Sequence, residues 1–144
     1  MTENVNIEAV LEQEGVYIST TSGVSMYPML RDRRDTIVVT PCTERLKKYD
    51  VALYRRGDSY VLHRVIKVLP DSYVIRGDNC IAKEYGITDR HVLGKLTSFY
   101  RKEKEINMNG ARYKIYSRLI CACHPFVSLK LKLKSRLSKL RRGK

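Results

Sequence analysis

Apolar residues along this chain keep two different periods. Through the middle they alternate or run in short blocks rich in β-branched and aromatic side chains: VYIST, DTIVVT, DVALYRR, SYVLHRVIKVL, SYVIRGD and HVLGKLTSFYR. Blocks of that kind, separated by the turn signals SG, TP, RRGDS, LPDS and GDN, predict short strands. Ahead of them, NIEAVLEQEG has the polar start and the closing glycine, Gly15, of a short helix. INMNGARYKIY offers an Asn-Gly turn and so predicts one more hairpin. Then the period lengthens. Ile115, Leu119, Ala122, Phe126, Leu129, Leu133, Leu137 and Leu140 recur every three or four residues, which is one face of a helix. Pro125 falls inside this run and divides it into two pieces, roughly 112–123 and 126–141. The fold class is therefore mainly β: an N-terminal helix over 1–15, a β domain over 16–110 and a helical tail over 111–144.

Charge changes the picture of the tail. The chain has 144 residues, enough for one modest core, and a formal net charge of +13. Residues 1–100 hold 14 Lys and Arg against 13 Asp and Glu, whereas residues 101–144 hold 14 against 2. The basic character belongs to the tail, so the average does not mark a nucleic-acid-binding protein. Lys130, Lys132, Lys134, Arg136, Lys139, Arg141 and Arg142 sit on its second piece. That piece, residues 126–142, can lie on an anionic membrane surface or pack across the β domain with its basic face in water. Nucleic acid ranks behind both, because interleaved aromatic residues are missing.

No run of about 18 apolar residues is present, and MTENVNIEAVLEQEG has neither the basic start nor the apolar centre of a signal peptide. Cys42, Cys80, Cys121 and Cys123 lack a disulfide-framework spacing, which points to reduced thiols. A cytoplasmic setting, free or peripheral to the membrane, follows as an expectation. CACH at 121–124 has no second ligand pair, so neither a metal nor a cofactor is expected.

Two residues could carry chemistry. SGVSMYPML places Ser25 on a turn between apolar side chains, and YVLHRVIKV places His63 inside an apolar strand. A serine needs a base to become a nucleophile, and an imidazole can serve. Taken singly, each has a plainer explanation: a serine after glycine caps a turn, and a strand histidine packs in the core. Strict alternation puts Val61, His63 and Val65 on one face, with Leu62, Arg64 and Ile66 on the other. Lys67 is the rival base, about 13 Å along the strand from His63.

Taken in order, SGVSMYPML, RDTIVV, KKYDVALYRR, YVLHRVIKV, VIRGDN and VLGKL resemble the signal peptidase I superfamily, which includes the LexA-like self-cleaving repressors. The resemblance covers about residues 18–98. Its motifs are a serine followed by methionine, one residue and proline, a histidine-arginine-valine strand, and a glycine-aspartate-asparagine turn. The bacterial enzymes place a lysine where this chain has His63, so the resemblance is to the Ser-His branch. It implies a signal peptidase-like β domain in which Ser25 attacks a peptide carbonyl and His63 carries the proton. It further implies Asp78 in support and an oxyanion held by the Ser25 N–H with help from Ser22 or Gly23. A second supporting aspartate is usual in that branch, and Asp89 is the nearest candidate although GITDRHVLG does not align cleanly. Met26 and Pro28 are read as packing residues of the turn.

The resemblance implies a serine endopeptidase acting on a precursor or leader peptide with small residues before the cleaved bond. Two alternatives stay open. One is a peptide-binding or regulatory domain that kept the fold without the chemistry. The other is a LexA-like self-cleaving protein, weakened because the stretch before Ser25 is too short for a helix-turn-helix module and no Ala-Gly dipeptide occurs.

Overall fold

A computed structural model describes residues 5–143 of the chain. Helix α1 (Ile7–Glu14) is capped by the Asn6 side chain, which accepts the Ala9 N–H, and ends at Gly15 in the left-handed conformation. Its two buried residues, Ile7 and Leu11, join the main core of the β domain.

Eight strands follow: β1 (Tyr17–Thr20), β2 (Asp35–Pro41), β3 (Val51–Arg56), β4 (Ser59–Val68), β5 (Tyr73–Arg76), β6 (Glu84–Ile87), β7 (Val92–Arg101) and β8 (Lys104–Asn107). They form one curled antiparallel sheet in the order β1-β2-β7-β3-β4-β5-β6, with β8 added on β7. The protein is thus mainly β, and every predicted strand block contains a strand. Two strands were not predicted. β6 holds a glycine and two charged or exposed residues in four positions, and β8 is polar, so neither carries an apolar signal.

The hairpin predicted at Asn109-Gly110 does not form there. The chain reverses one turn earlier, between β7 and β8, where Lys102 takes a positive φ. Asn109-Gly110 instead opens helix α2 (Ala111–Ala122): the Asn107 side chain accepts the Asn109 N–H, and Gly110 O accepts the Lys114 N–H. The residues after Gly110 already follow the helical period, with Tyr113 and Ser117 turned inward. Helix α3 (His124–Arg142) follows after a joint at Cys123, with Pro125 in its first turn, where a missing N–H costs nothing.

The curl of the sheet creates two cores. Val51 and Leu53 face a cluster with Met26, Met29, Leu30, Val39, Leu96 and Phe99, while Ala52 and Tyr54 face a second cluster with Val65, Tyr73 and Ile75. Strand β4 therefore presents residues to both sides, as strand geometry requires. α3 does not lie across the sheet, and its row of leucines is exposed. Among the described residues, no helix is long and apolar enough to cross a membrane.

Candidate active site

Ser25 lies in the long loop between β1 and β2, and that loop is stapled at its neck. The Thr21 hydroxyl donates to Arg31 O at 2.6 Å, and the Arg33 N–H donates to Thr21 O at 2.8 Å. The Arg31 N–H reaches the buried Asp35 carboxylate at 3.0 Å. Met26, Met29 and Leu30 anchor the far side of the loop in the core, so Ser25 is held half-buried next to a fixed point.

His63 is positioned by register. The RRGDSY turn joins β3 to β4 so that His63 stands opposite Ala52 and Val61 opposite Tyr54. Residues directly opposite share a face, so the small Ala52 leaves room for the imidazole and Tyr54 lies diagonally beside it. The ring is buried, and its Nδ1 lies 3.1 Å from the Tyr54 hydroxyl and 3.2 Å from Glu84 Oε1. Tyr54 donates its proton to Glu84 at 2.8 Å, and Arg56 donates to the same oxygen at 3.0 Å. With the tyrosine proton committed to the carboxylate, the ring proton belongs on Nδ1, which leaves Nε2 as a free lone pair.

The residues that follow β5 bring the two halves together. Gly77 packs against His63, Asp78 against Arg64, and Asn79 against the Ser25 loop. A Cβ placed on Gly77 would stand 3.0 Å from His63 Nε2 and 2.7 Å from both Ser25 O and Cys80 Sγ, so only glycine fits. Asn79 donates its N–H to Ser25 O at 2.8 Å and its side-chain N–H to Val24 O at 3.1 Å. Ser25, His63 and Cys80 line one cavity of about 470 Å³, together with Ser22, Gly23, Arg56, Tyr60 and an apolar wall that includes Ile7, Met26 and Leu53. Ser25 Oγ and His63 share this cavity without a direct hydrogen bond among the described residues.

Asp78 does not reach His63. Arg64 stands opposite Arg76 across β4 and β5, and Asp78 lies in the turn that follows Arg76. Its two carboxylate oxygens accept from Arg64 Nε and Nη2, each at 2.7 Å. Gly77 takes the intervening position on the His63 side. Glu84 and Tyr54 are the groups that touch the imidazole, while the Asp78 charge reaches His63 only electrostatically, favouring the imidazolium. Asp89 lies elsewhere, hydrogen-bonded by the Tyr73 hydroxyl and 3.8 Å from Arg45. Gly23 is also engaged: its N–H donates to Asp32 Oδ1 at 2.7 Å, while no hydrogen bond among the described residues uses the Ser25 N–H. Ser22 lines the cavity. Lys67 falls after a register shift in β4 and is exposed. Both ring nitrogens of His124 are occupied, by Cys80 O at 2.7 Å and the Ser128 hydroxyl at 3.1 Å.

Electrostatics favour a neutral imidazole. Burial lowers the His63 pKa below the ordinary 6.5, opposed by the nearby Glu84 carboxylate and reinforced by Arg56. Burial also pushes the Cys80 thiol up, which keeps it protonated and poorly nucleophilic beside Ser25.

Tyr54 was legible before the fold, because a two-residue Gly57-Asp58 turn sets a register that makes it a neighbour of His63. Glu84 had no comparable signal, since it sits on β6, a short strand without an apolar pattern. No protein-family model matches this chain, and neither does any curated protein.

Proposed function

We propose that this chain is a serine endopeptidase of the signal peptidase type, with Ser25 as nucleophile and His63 as general base. The observation that carries this reading is the point beside Gly77 where the Ser25 backbone and His63 Nε2 meet at the edge of one cavity, with the other ring nitrogen held by Tyr54 and Glu84. A nucleophile beside a base that is itself oriented by a third group is the arrangement acyl transfer requires.

Chemistry follows from the atoms in place. His63 Nε2 takes the Ser25 Oγ proton as Oγ adds to the peptide carbonyl. The Nδ1 proton faces Glu84, whose charge supports the imidazolium that forms. His63 then returns the proton to the departing amine, and water hydrolyses the acyl-Ser25 ester by the same route. The Ser25 N–H is free to donate to the oxyanion, and Ser22 is the neighbouring hydroxyl on the cavity wall. The substrate class is a precursor or leader peptide with small residues before the cleaved bond. A peptide-binding domain without chemistry is the second reading, favoured by the missing Ser25–His63 hydrogen bond, although such bonds often tighten only once substrate is bound.

The test is cleavage of a diverse peptide mixture, read by mass spectrometry for the native chain, Ser25→Ala and His63→Ala. Each substitution is expected to reduce cleavage by about a hundredfold to ten-thousandfold, with the pair no worse than either alone. Cleavage that persists in Ser25→Ala would remove the nucleophile and the proposal. Binding of peptides without cleavage by the native chain would favour the second reading.

A further inference from the structure

Helix α3 has a covered side only in its first two turns, and from residue 132 to residue 143 every position is exposed. His124 is buried, and Val127, Ser128 and Leu131 on its side of the helix are partly covered. His124 also fixes the first turn to Cys80 O in the turn behind the cavity. On the opposite side Phe126, Leu129, Leu133, Leu137 and Leu140 form a continuous stripe, 75%, 56%, 50%, 63% and 71% exposed. Their spacing keeps them on one face over about four turns. Lys130, Lys134 and Arg141 border the stripe on one flank. Helical spacing places Lys132, Arg136 and Lys139 on the other. None of residues 106–144 is acidic.

An apolar stripe of this size, with half or more of each side chain in water, is the mark of an interaction surface. A second copy of α3 would cover the leucines but would bring two sets of cations together with no carboxylate between them to offset the repulsion. Nucleic acid would neutralise the cations and leave five apolar side chains in water, with a single aromatic among them for stacking. An anionic lipid surface answers both requirements. The apolar side chains enter the boundary of the acyl region, and the flanking lysines and arginines extend their stems along it to reach the headgroups.

We propose that α3 docks on an anionic lipid surface through Phe126, Leu129, Leu133, Leu137 and Leu140. Docking stands apart from peptide cleavage, since it is read without any turnover.

The experiment is sedimentation of the full chain with vesicles of phosphatidylcholine alone and of phosphatidylcholine mixed with phosphatidylglycerol, at low and high salt. Binding to the anionic vesicles is expected to be at least about tenfold tighter and to weaken with salt. Leu133→Ser combined with Leu137→Ser is expected to weaken it by about tenfold or more while leaving the melting temperature of the protein unchanged, because both side chains are exposed. Undiminished binding by that variant would reduce the contact to bulk charge and overturn the insertion. Failure of the native chain to sediment with anionic vesicles would overturn it as well. So would a lipid-free dimer, seen by light scattering, that dissociates in the double variant, or a single-stranded RNA that strips the protein from the vesicles.

Discussion

Burial, Glu84 and Arg56 act on His63 in different directions, so its proton affinity is a balance that single substitutions can move. Burial is the largest influence and favours the neutral ring; the Glu84 charge favours the imidazolium, and the Arg56 charge disfavours it. A base must be neutral to work, so kcat/KM should fall on the acid side with a midpoint below the ordinary 6.5. Glu84→Gln removes the charge that favours the imidazolium, so that midpoint should move to still lower pH while the rate drops. Arg56→Gln removes an opposing cation and should move it up. A pH–rate profile of the two variants checks both signs, and shifts in the same direction would show that Glu84 and Arg56 do not act through His63. Legibility at this level was uneven. Ser25 and His63 stand out because each sits among apolar neighbours, whereas Glu84 is one of many acids until β6 brings it to His63 Nδ1.

Elements matter through parity and close approach. β5 is only four residues long, and Gly77, Asp78 and Asn79 follow it in a tight turn closed by the Cys80 N–H donating to Gly77 O at 3.1 Å. That turn sends Asp78 to Arg64, leaves only a glycine beside His63, and sets Asn79 to hold the Ser25 loop. Gly77→Ala is expected to force Ser25 and His63 apart, since its methyl would meet the Ser25 carbonyl oxygen at 2.7 Å. Peptide cleavage should fall by about a hundredfold or more, with a loss of stability of only about 1–3 kcal/mol. Parallel activity and denaturation measurements separate the two, and a variant with full activity would show that the turn does not set the geometry. The order of strands could not be read in advance. β2 pairs with β7, about sixty residues away, and local patterns carry no information about such partners.

The molecule as a whole is tied together by one buried cation. Arg64 is fully buried; it binds Asp78 through two nitrogens, donates to Tyr49 O at 3.2 Å, reaches the Tyr113 hydroxyl at 2.5 Å and touches Met29 Sδ at 3.3 Å. Through it, β4, the turn after β5, the Ser25 loop and α2 share a single knot. Burial opposes its charge, but the hydrogen bonds and charge of Asp78 outweigh that and hold the guanidinium protonated. Asp78→Asn would leave that charge without a counterion, and chemical denaturation should show a loss of about 3–5 kcal/mol. A loss below about 1 kcal/mol would mean that water or another group compensates for Asp78. Its effect on cleavage should combine the loss of stability with a lower acid-side midpoint, since the Asp78 charge also favours the His63 imidazolium.

From the sequence alone came the β class and a helical tail in two pieces divided near Pro125, both of which depend on local periodicity and are written along the chain. The pairing of a turn serine with a strand histidine as the chemistry to look for came from the ordered motifs and their resemblance to the signal peptidase I superfamily. Strand register across β4 and β5 decided that Asp78 serves Arg64. The β3–β4 register set Tyr54 beside His63, and the pairing of β6 on β5 brought Glu84 to the same ring nitrogen. Those outcomes depend on which distant residues meet, and contacts between segments far apart in sequence exist only once the chain has closed on itself.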